Sequence, residues 1–242
     1  MIKNIEYSIV LPVFNEEENL VELQQRIVNV MYSKSGAYEV IYVDDASTDR
    51  SLETLQKLKK DYLNLRVYSF AEHKGQSAAF YAGFEKAKGE WIITLDSDLQ
   101  NPPEEIDKLL ALRGSYDFIV GIRKNRSDSR RRIVSSKIAR FFRRVVLGDV
   151  VEDTGCSLKC FRRRILEDFV FFDHFHRFMP YMAYKLGYSV GEVEVKHLPR
   201  RRGKSKYNIG NRIFAGIFDL FGVLWLSRRV LTKKIKFKYE DI

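Results

Sequence analysis

The sequence predicts an α/β domain with a mostly parallel sheet flanked by helices, followed by a C-terminal amphipathic, membrane-associated helix. Three observations predict it. Apolar, β-rich runs alternate with helix-patterned stretches through the first half of the 242-residue chain, as in βαβ units that build parallel sheets. Leu11-Pro12, Asp44-Asp45 and Asp96-Ser97-Asp98 then fall at the carboxyl ends of the strands, where such sheets gather ligands. Finally, Ile213 to Leu226 is apolar for fourteen residues apart from Asp219, short of the roughly twenty needed to span a bilayer.

Tyr7 to Val13 reads as the first strand, and Phe14 to Asn19 opens a helix to about Met31 through Leu20, Leu23, Ile27 and Val30. Val40 to Val43 is the second strand, and Ser47 or Thr48 is expected to cap the helix that runs to about Leu63. Leu65 to Phe70 is a third strand, Gly75 to Ala87 a third helix and Trp91 to Leu95 a fourth, buried strand. A helix from Pro103 to Leu112 and a strand from Tyr116 to Ile122 follow. Arg123 to Arg144 carries ten Lys/Arg and one acid, with Ile133, Val134, Ile138, Phe141 and Phe142 at helical spacing, and reads as a basic amphipathic helix. Leu158 to Phe161 is strand-like, Phe178 to Leu186 helical, and Tyr188 to His197 alternates as an edge or terminal strand.

The net charge of +10 is uneven: residues 1–122 hold 13 Lys/Arg against 20 Asp/Glu, and residues 123–242 hold 29 against 12. An acidic half joined to a basic one suits a metal-bound, phosphate-bearing substrate, and the same totals suit a nucleic-acid or anionic-membrane binder. Cys156 and Cys160 lack the second pair that a zinc site needs, and the amino terminus enters a strand without a secretory-leader pattern. The two cysteines are expected to be reduced core or site residues of a cytosolic protein, with a disulfide between them as the alternative.

Asp96 and Asp98, at a strand's end where the chain turns, can bring hard oxygens to one point, with the amide of Gln100 as a third ligand. Such a seat suits Mg²⁺ or Mn²⁺. The loop Pro199 to Tyr207, with Arg200, Arg201, Arg202, Lys204 and Lys206, suits phosphate. Ile213 to Leu226 reads either as a buried core helix or as an in-plane helix on anionic lipid, the second favoured by Arg212, Arg228, Arg229 and the lysines beyond, each cation contributing on the order of 1 kcal/mol near the surface.

The blocks VLPVFNEEENL, VDDASTD, HKGQSAAFYAGFEKAKGEWIITLDSDLQNPPE, GIR, RRRIVSS, DTGCSLKCFRR, HRF and RRRGKSKYNIGNRI, across residues 7–213, resemble the family 2 glycosyltransferases. They are most similar to the polyprenyl-phosphate group related to dolichol-phosphate mannose synthase. The resemblance implies a GT-A type, Rossmann-like fold over residues 1–210, with 211–242 as a membrane-associated helix and basic tail. It implies inverting transfer of a single sugar from a UDP-hexose or GDP-mannose to undecaprenyl or dolichyl phosphate, at the cytoplasmic face of the membrane. Many relatives continue into transmembrane helices, and the Q-x-x-R-W of processive synthases is replaced here by His176-Arg177-Phe178.

The resemblance places Pro12, Asn15 and Glu16 in the nucleoside pocket and gives Asp44 or Asp45 to the base or ribose. Asp98, with Asp96 and Gln100, holds the metal; Asp96 also belongs to the donor site, and Arg202 and Lys206 close over the donor diphosphate or the acceptor. Arg123, Arg131, Arg132 and Ser135 receive the lipid phosphate. Asp153, in DTG, matches a position proposed as base, or else orients the acceptor or an arginine. A glycosyltransferase of the same superfamily with a non-lipid acceptor is the alternative, and self-association is left open. A nucleic-acid-binding module would leave the carboxylates at three strand ends unexplained. A nucleotidyltransferase would carry a glycine-rich loop where Asn15-Glu16-Glu17-Glu18 stands.

Overall fold

A computed structural model describes residues 5–34, 36–124, 142–148, 151–199 and 209–229. Seven strands form one sheet in the order β3-β2-β1-β4-β6-β5-β7. The strands are β1 (Ile5–Val13), β2 (Ala37–Asp44), β3 (Leu65–Ser69), β4 (Trp91–Thr94), β5 (Phe118–Arg123), β6 (Lys159–Arg162) and β7 (Val190–Val195). The helices are α1 (Leu20–Tyr32), α2 (Ser51–Asp61), α3 (Gln76–Lys86), α4 (Ile106–Leu110), α5 (142–147), α6 (Met179–Lys185) and α7 (Ile209–Ser227), with short 3₁₀ turns at Pro103–Glu105, Arg163–Asp168 and Phe175–Arg177.

β1 lies between β2 and β4 and is parallel to both, with Ile9 opposite Val40 on one side and Ile93 on the other. All three side chains are fully buried, which is why these runs read as continuously apolar rather than alternating. Helices cover both faces. The Tyr42 hydroxyl donates to Gln24 Oε1 of α1 (3.1 Å) on one face. On the other, Phe84 of α3 meets the Phe161 ring of β6 edge-on at 5.7 Å, and Phe161 stacks on Phe118 of β5 at 5.0 Å.

The chain passes from β3 through α3 to β4 on the far side of β1, so β1 and β4 flank the point where strand order reverses. Doubly wound sheets bind ligands in the crevice at that point. β6 is antiparallel to both neighbours. Its amino-terminal end therefore lies at the carboxyl edge of the parallel strands, and the segment Asp153 to Ser157 arrives beside Asp96 and Asp98. β7 is the edge strand, parallel to β5, as its alternation predicts.

Two sequence expectations are corrected. Ser47 and Thr48 do not cap α2, whose N-cap is Arg50 with no side-chain hydrogen bond; both instead bond Asn15 across to the β1–α1 loop. The helix after Pro103 is shorter than Pro103 to Leu112, a 3₁₀ turn leading into the five residues of α4. The basic amphipathic stretch Arg123 to Arg144 lies largely outside the described residues. α7 contributes Leu220 and Val223 to the same core as the sheet.

The start of β4 is clamped to β1 through Gly89. Its N–H donates to Ser8 Oγ (2.8 Å), and Ser8 in turn donates to Glu39 Oε1 (2.6 Å). A Cβ on Gly89 would stand 2.5 Å from the Ser8 nitrogen and 2.6 Å from the Tyr7 carbonyl carbon. Both are backbone atoms within a strand and have little room to yield. Gly89→Ala is expected to destabilise the fold by about 1–3 kcal/mol, read as a lower urea midpoint at unchanged slope.

Candidate active site

Three loops at the carboxyl ends of β1, β2 and β4 form the floor of the site. Each contains a non-glycine residue at positive φ: Asn15 (52°), Ala46 (55°) and Leu99 (59°). Left-handed backbone at such residues is unfavourable and needs compensating contacts. Asn15 supplies several: its N–H donates to Ser47 Oγ (2.9 Å), its Oδ1 accepts from the Thr48 N–H (2.7 Å), and its Nδ2 donates to Thr48 Oγ1 (3.1 Å). The buried Glu16 donates its N–H to Ser51 Oγ (2.8 Å) and accepts from Asn19 Nδ2 (2.7 Å). Pro12 lends its carbonyl to Ser97 Oγ (2.8 Å), tying the end of β1 to the D-S-D turn.

The adjacent aspartates Asp44 and Asp45 have different jobs. Asp45 receives the N–H groups of Lys74 (2.7 Å) and Gly75 (2.8 Å) and the His73 ring (2.9 Å), so both its oxygens are committed to the approach to α3. Asp44 accepts on Oδ2 from Ser69 Oγ (3.0 Å) and the Ser47 N–H (3.3 Å), while its buried Oδ1 has no hydrogen-bond partner. An unsatisfied buried oxygen costs about 1–3 kcal/mol unless a ligand supplies a donor. Of the two, Asp44 is the one that keeps a buried oxygen without a partner.

Asp96 and Asp98 stand together at the end of β4. Burial, then the charge of Asp98, pushes the Asp96 carboxyl up to about 6, against the opposing pull of Ser157, Lys159 and Arg123. Gln76 Nε2 donates to Asp96 Oδ1 (2.8 Å), and Asp98 Oδ1 accepts from the Gln100 N–H (3.1 Å). The Gln100 side-chain NH₂ points to the Leu198 carbonyl (3.3 Å), whose N–H returns to the Gln100 carbonyl (2.8 Å). Gln100 thus ties the segment after β7 to the carboxylate turn. Among the described residues no three His, Cys, Asp or Glu form a metal-binding group. Two carboxylates with open positions for phosphate and water are nevertheless a donor set that fits Mg²⁺ or Mn²⁺.

On the other wall, Asp153 holds Arg123 as a fork: Nε to Oδ2 at 2.7 Å and Nη2 to Oδ1 at 2.9 Å, with the Arg123 N–H also on Oδ2 (3.2 Å). Both side chains are largely buried, and the pairing raises the Arg123 pKa against the effect of burial. Gly155 makes room, since a Cβ there would sit 3.0 Å from Arg123 Nη2. The Asp153 carboxylate accepts three N–H groups of Arg123.

Four participants escaped the sequence reading. Lys159 is buried in β6 opposite Thr94 and Val120, donates to the Cys156 carbonyl, and burial lowers its pKa despite the nearby Asp96 and Asp153. Asn101 Nδ2 donates to Ser157 Oγ (2.8 Å), and Thr94 Oγ1 to the Ser157 carbonyl (2.5 Å), joining the carboxylate turn to the D-T-G loop. Gln76 is the fourth. The lysine interrupting LKCF is the one signal that could have been read. Cys156 and Cys160 are free and buried. Arg131, Arg132, Ser135, Arg202 and Lys206 lie outside the described residues.

Residues 8–170 match the family model described as Glycosyl transferase family 2. The chain is 37% identical over 235 residues to a dodecaprenyl-phosphate galacturonate synthase of Rhizobium johnstonii, covering 94% of this chain and 69% of that protein. It is 39% identical over 216 residues to an undecaprenyl-phosphate 4-deoxy-4-formamido-L-arabinose transferase of Pseudomonas paraeruginosa, covering 88% of this chain and 63% of that one. Among solved structures it superimposes on Mycobacterium tuberculosis glucosyl-3-phosphoglycerate synthase in complex with Mn²⁺ and UDP-glucose, with a TM-score of 0.67 at 17% identity, over 90% of this chain and 79% of that one. On S. aureus TarS residues 1–349 with UDP-GlcNAc the TM-score is 0.63 at 19% identity, over 92% of this chain and 67% of that one. These neighbours establish the GT-A fold.

Two outcomes test the site's electrostatics. A carboxyl whose folded pKa is raised from 3.8 to about 6 favours folding while neutral and opposes it once ionised, so its penalty is complete above about pH 6 and absent below 3.8. Asp96→Asn is expected to raise stability in EDTA at pH 7.5 by on the order of 1–2 kcal/mol, the partial opening to water screening the pair. The gain should shrink as pH falls from 6 towards 4, followed by thermal melts across that range. By contrast, Asp153→Asn strands a buried guanidinium and is expected to lower stability by about 3–5 kcal/mol, measured by chemical denaturation.

Proposed function

Because the chain belongs to glycosyl transferase family 2, we propose that it is an inverting polyprenyl-phosphate glycosyltransferase that moves one sugar from a UDP- or GDP-linked donor to a polyprenyl phosphate at the cytoplasmic surface of a membrane. The product would be a lipid-phosphate sugar for glycan or glycolipid modification. The observation that carries this is the meeting of Asp44, Asp96 and Asp98 with the Arg123–Asp153 fork at one edge of the sheet. The kinship with undecaprenyl- and dodecaprenyl-phosphate enzymes supports the acceptor.

In this assignment Asp44 Oδ1 takes a base N–H or a ribose hydroxyl, within the pocket shaped by Pro12, Asn15 and Glu16. Asp96 and Asp98 would hold a divalent ion. When bound, that ion neutralises charge growing on the departing diphosphate. Gln100 fixes the chain leading to Arg202 and Lys206, which are assigned to the donor diphosphate. Arg123, with Nε and Nη2 held by Asp153, turns its other edge to the acceptor phosphate, with Arg131, Arg132 and Ser135 assigned to the same group. A phosphate monoester with second pKa near 6 is already mostly dianionic at neutral pH. Its oxygen therefore needs orientation more than deprotonation, which agrees with Asp153 being spent on Arg123. Direct attack on the anomeric carbon inverts its configuration.

No described helix is long and apolar enough to cross a membrane. On α7, Leu220 and Val223 are buried while Phe218, Phe221 and Trp225 are 76%, 58% and 62% exposed, next to Arg228 and Arg229. On α5, Phe142 and Val145 are exposed as well. The Tyr181 hydroxyl bonds both the Leu147 carbonyl (3.3 Å) and Ser227 Oγ (3.1 Å), which brings the ends of the two helices together. This aromatic, cation-flanked surface suits the headgroup boundary of an anionic bilayer.

The decisive experiment offers labelled UDP- and GDP-sugars with polyprenyl phosphate and Mg²⁺ or Mn²⁺, and measures lipid-extractable label. One donor class should give label, EDTA should abolish it, and Asp98→Ala should lower turnover by at least about a hundredfold. Label transferred equally well in EDTA would remove the metal assignment. Transfer to a water-soluble acceptor in preference to the lipid would remove the acceptor assignment.

A further inference from the structure

We propose that Asp219 is a positioning residue for the carboxylates at the end of β4. It holds His174, which fixes the turn that seats the first residues of α3, from which Gln76 reaches Asp96. Asp219 is the single acid of α7. An ionised carboxylate in an apolar helix is unfavourable unless paired, and its partner is His174, with Nδ1 donating to Asp219 Oδ2 at 3.0 Å. On the ring's other side Nε2 lies 3.7 Å from Asp173 Oδ2, so Asp219 makes the shorter of two carboxylate contacts.

His174 is itself held in an uncommon state, with φ at 64°. In that conformation its N–H donates to Ser77 Oγ (2.8 Å) and to Asp173 Oδ1 (2.8 Å). Ser77, buried in the first turn of α3, also bonds His176 Nδ1 (2.9 Å). Its neighbour Gln76, the first residue of that helix, donates Nε2 to Asp96 Oδ1 at 2.8 Å. Polar contacts thus run from the helix with the exposed aromatic face, through one strained turn, to a carboxylate assigned above to the metal. Simple anchoring of α7 would explain the Asp219–His174 pair, but it would not require the same turn to hold α3 by its second residue.

The test uses the full chain and two readouts. Hydrogen exchange on Asp219→Ala should show faster exchange across residues 75–80 as well as in the 172–178 turn, while Asp219→Asn, which still accepts from His174 Nδ1, should restore most of the protection. Binding of Mn²⁺ alone, followed by electron paramagnetic resonance, should weaken roughly three- to tenfold in Asp219→Ala and recover in Asp219→Asn. On a Gln76→Ala background the Asp219 change should add little, because the connection is already cut. Exchange changes confined to α7 and the 172–178 turn, or additive effects on Mn²⁺ affinity, would overturn the proposal. Wild-type protein that binds no Mn²⁺ would instead refute the metal assignment, and the exchange experiment, which needs no metal, would still decide the role of Asp219.

Discussion

Buried charge at the carboxyl edge of the sheet has to balance, and much of the architecture follows from how it does. Asp98, Asp153 and Lys159 are buried beside the half-buried Asp96 and the largely buried Arg123. Asp153 and Arg123 satisfy each other through a two-pronged pair. Asp96 and Asp98 lie side by side with Lys159 close by, and burial first, then the charge of Asp98, raises the pKa of Asp96. The lysine reaches this place because β6 runs antiparallel, with Lys159 at its first position opposite Thr94. A parallel strand in the same slot would bring Arg162 to this edge and leave the D-T-G loop at the far end of the sheet. The one reversal of direction is therefore what gives the site its second wall.

The floor is built on a different principle. Asn15, Ala46 and Leu99 each place one strained residue in a loop that leaves a parallel strand, at a cost of order 1 kcal/mol or more apiece. The contacts that hold them run between loops more than within them: Asn15 to Ser47 and Thr48, Glu17 to Asp49 and Arg50, Ser97 to Pro12. Each loop is the support of the next, so a ligand meets a preorganised surface rather than independent turns.

That mutual support also marks the limit of what could be read from the sequence. The strands were legible because burial on both faces removes polar alternation, as at Ile9, Ile41 and Ile93. The positions of Asp44, Asp96 and Asp98 at strand ends were legible because each directly follows or closes an apolar run. Ser47 and Thr48 were misread as caps because their partner, Asn15, lies more than thirty residues away and local spacing carries no trace of it. Asp45 and Asp44 looked equivalent, although only the fold shows that one faces the N–H groups before α3 and the other keeps a bare oxygen. β6 was visible as four strand-like residues, but its direction depends on chain tracing through the whole second half.

The lone acid of α7 shows the same division between pattern and placement. Ile213 to Leu226 carries one charged side chain, Asp219, among apolar residues. A buried or half-buried polar pair is most useful where it fixes register, and Asp219 can meet His174 in only one rotation. In that rotation Leu220 and Val223 enter the core and Phe218, Phe221 and Trp225 point outward. The contact of Asp219 with His174 and the burial of Leu220 and Val223 thus belong to one and the same rotation of the helix.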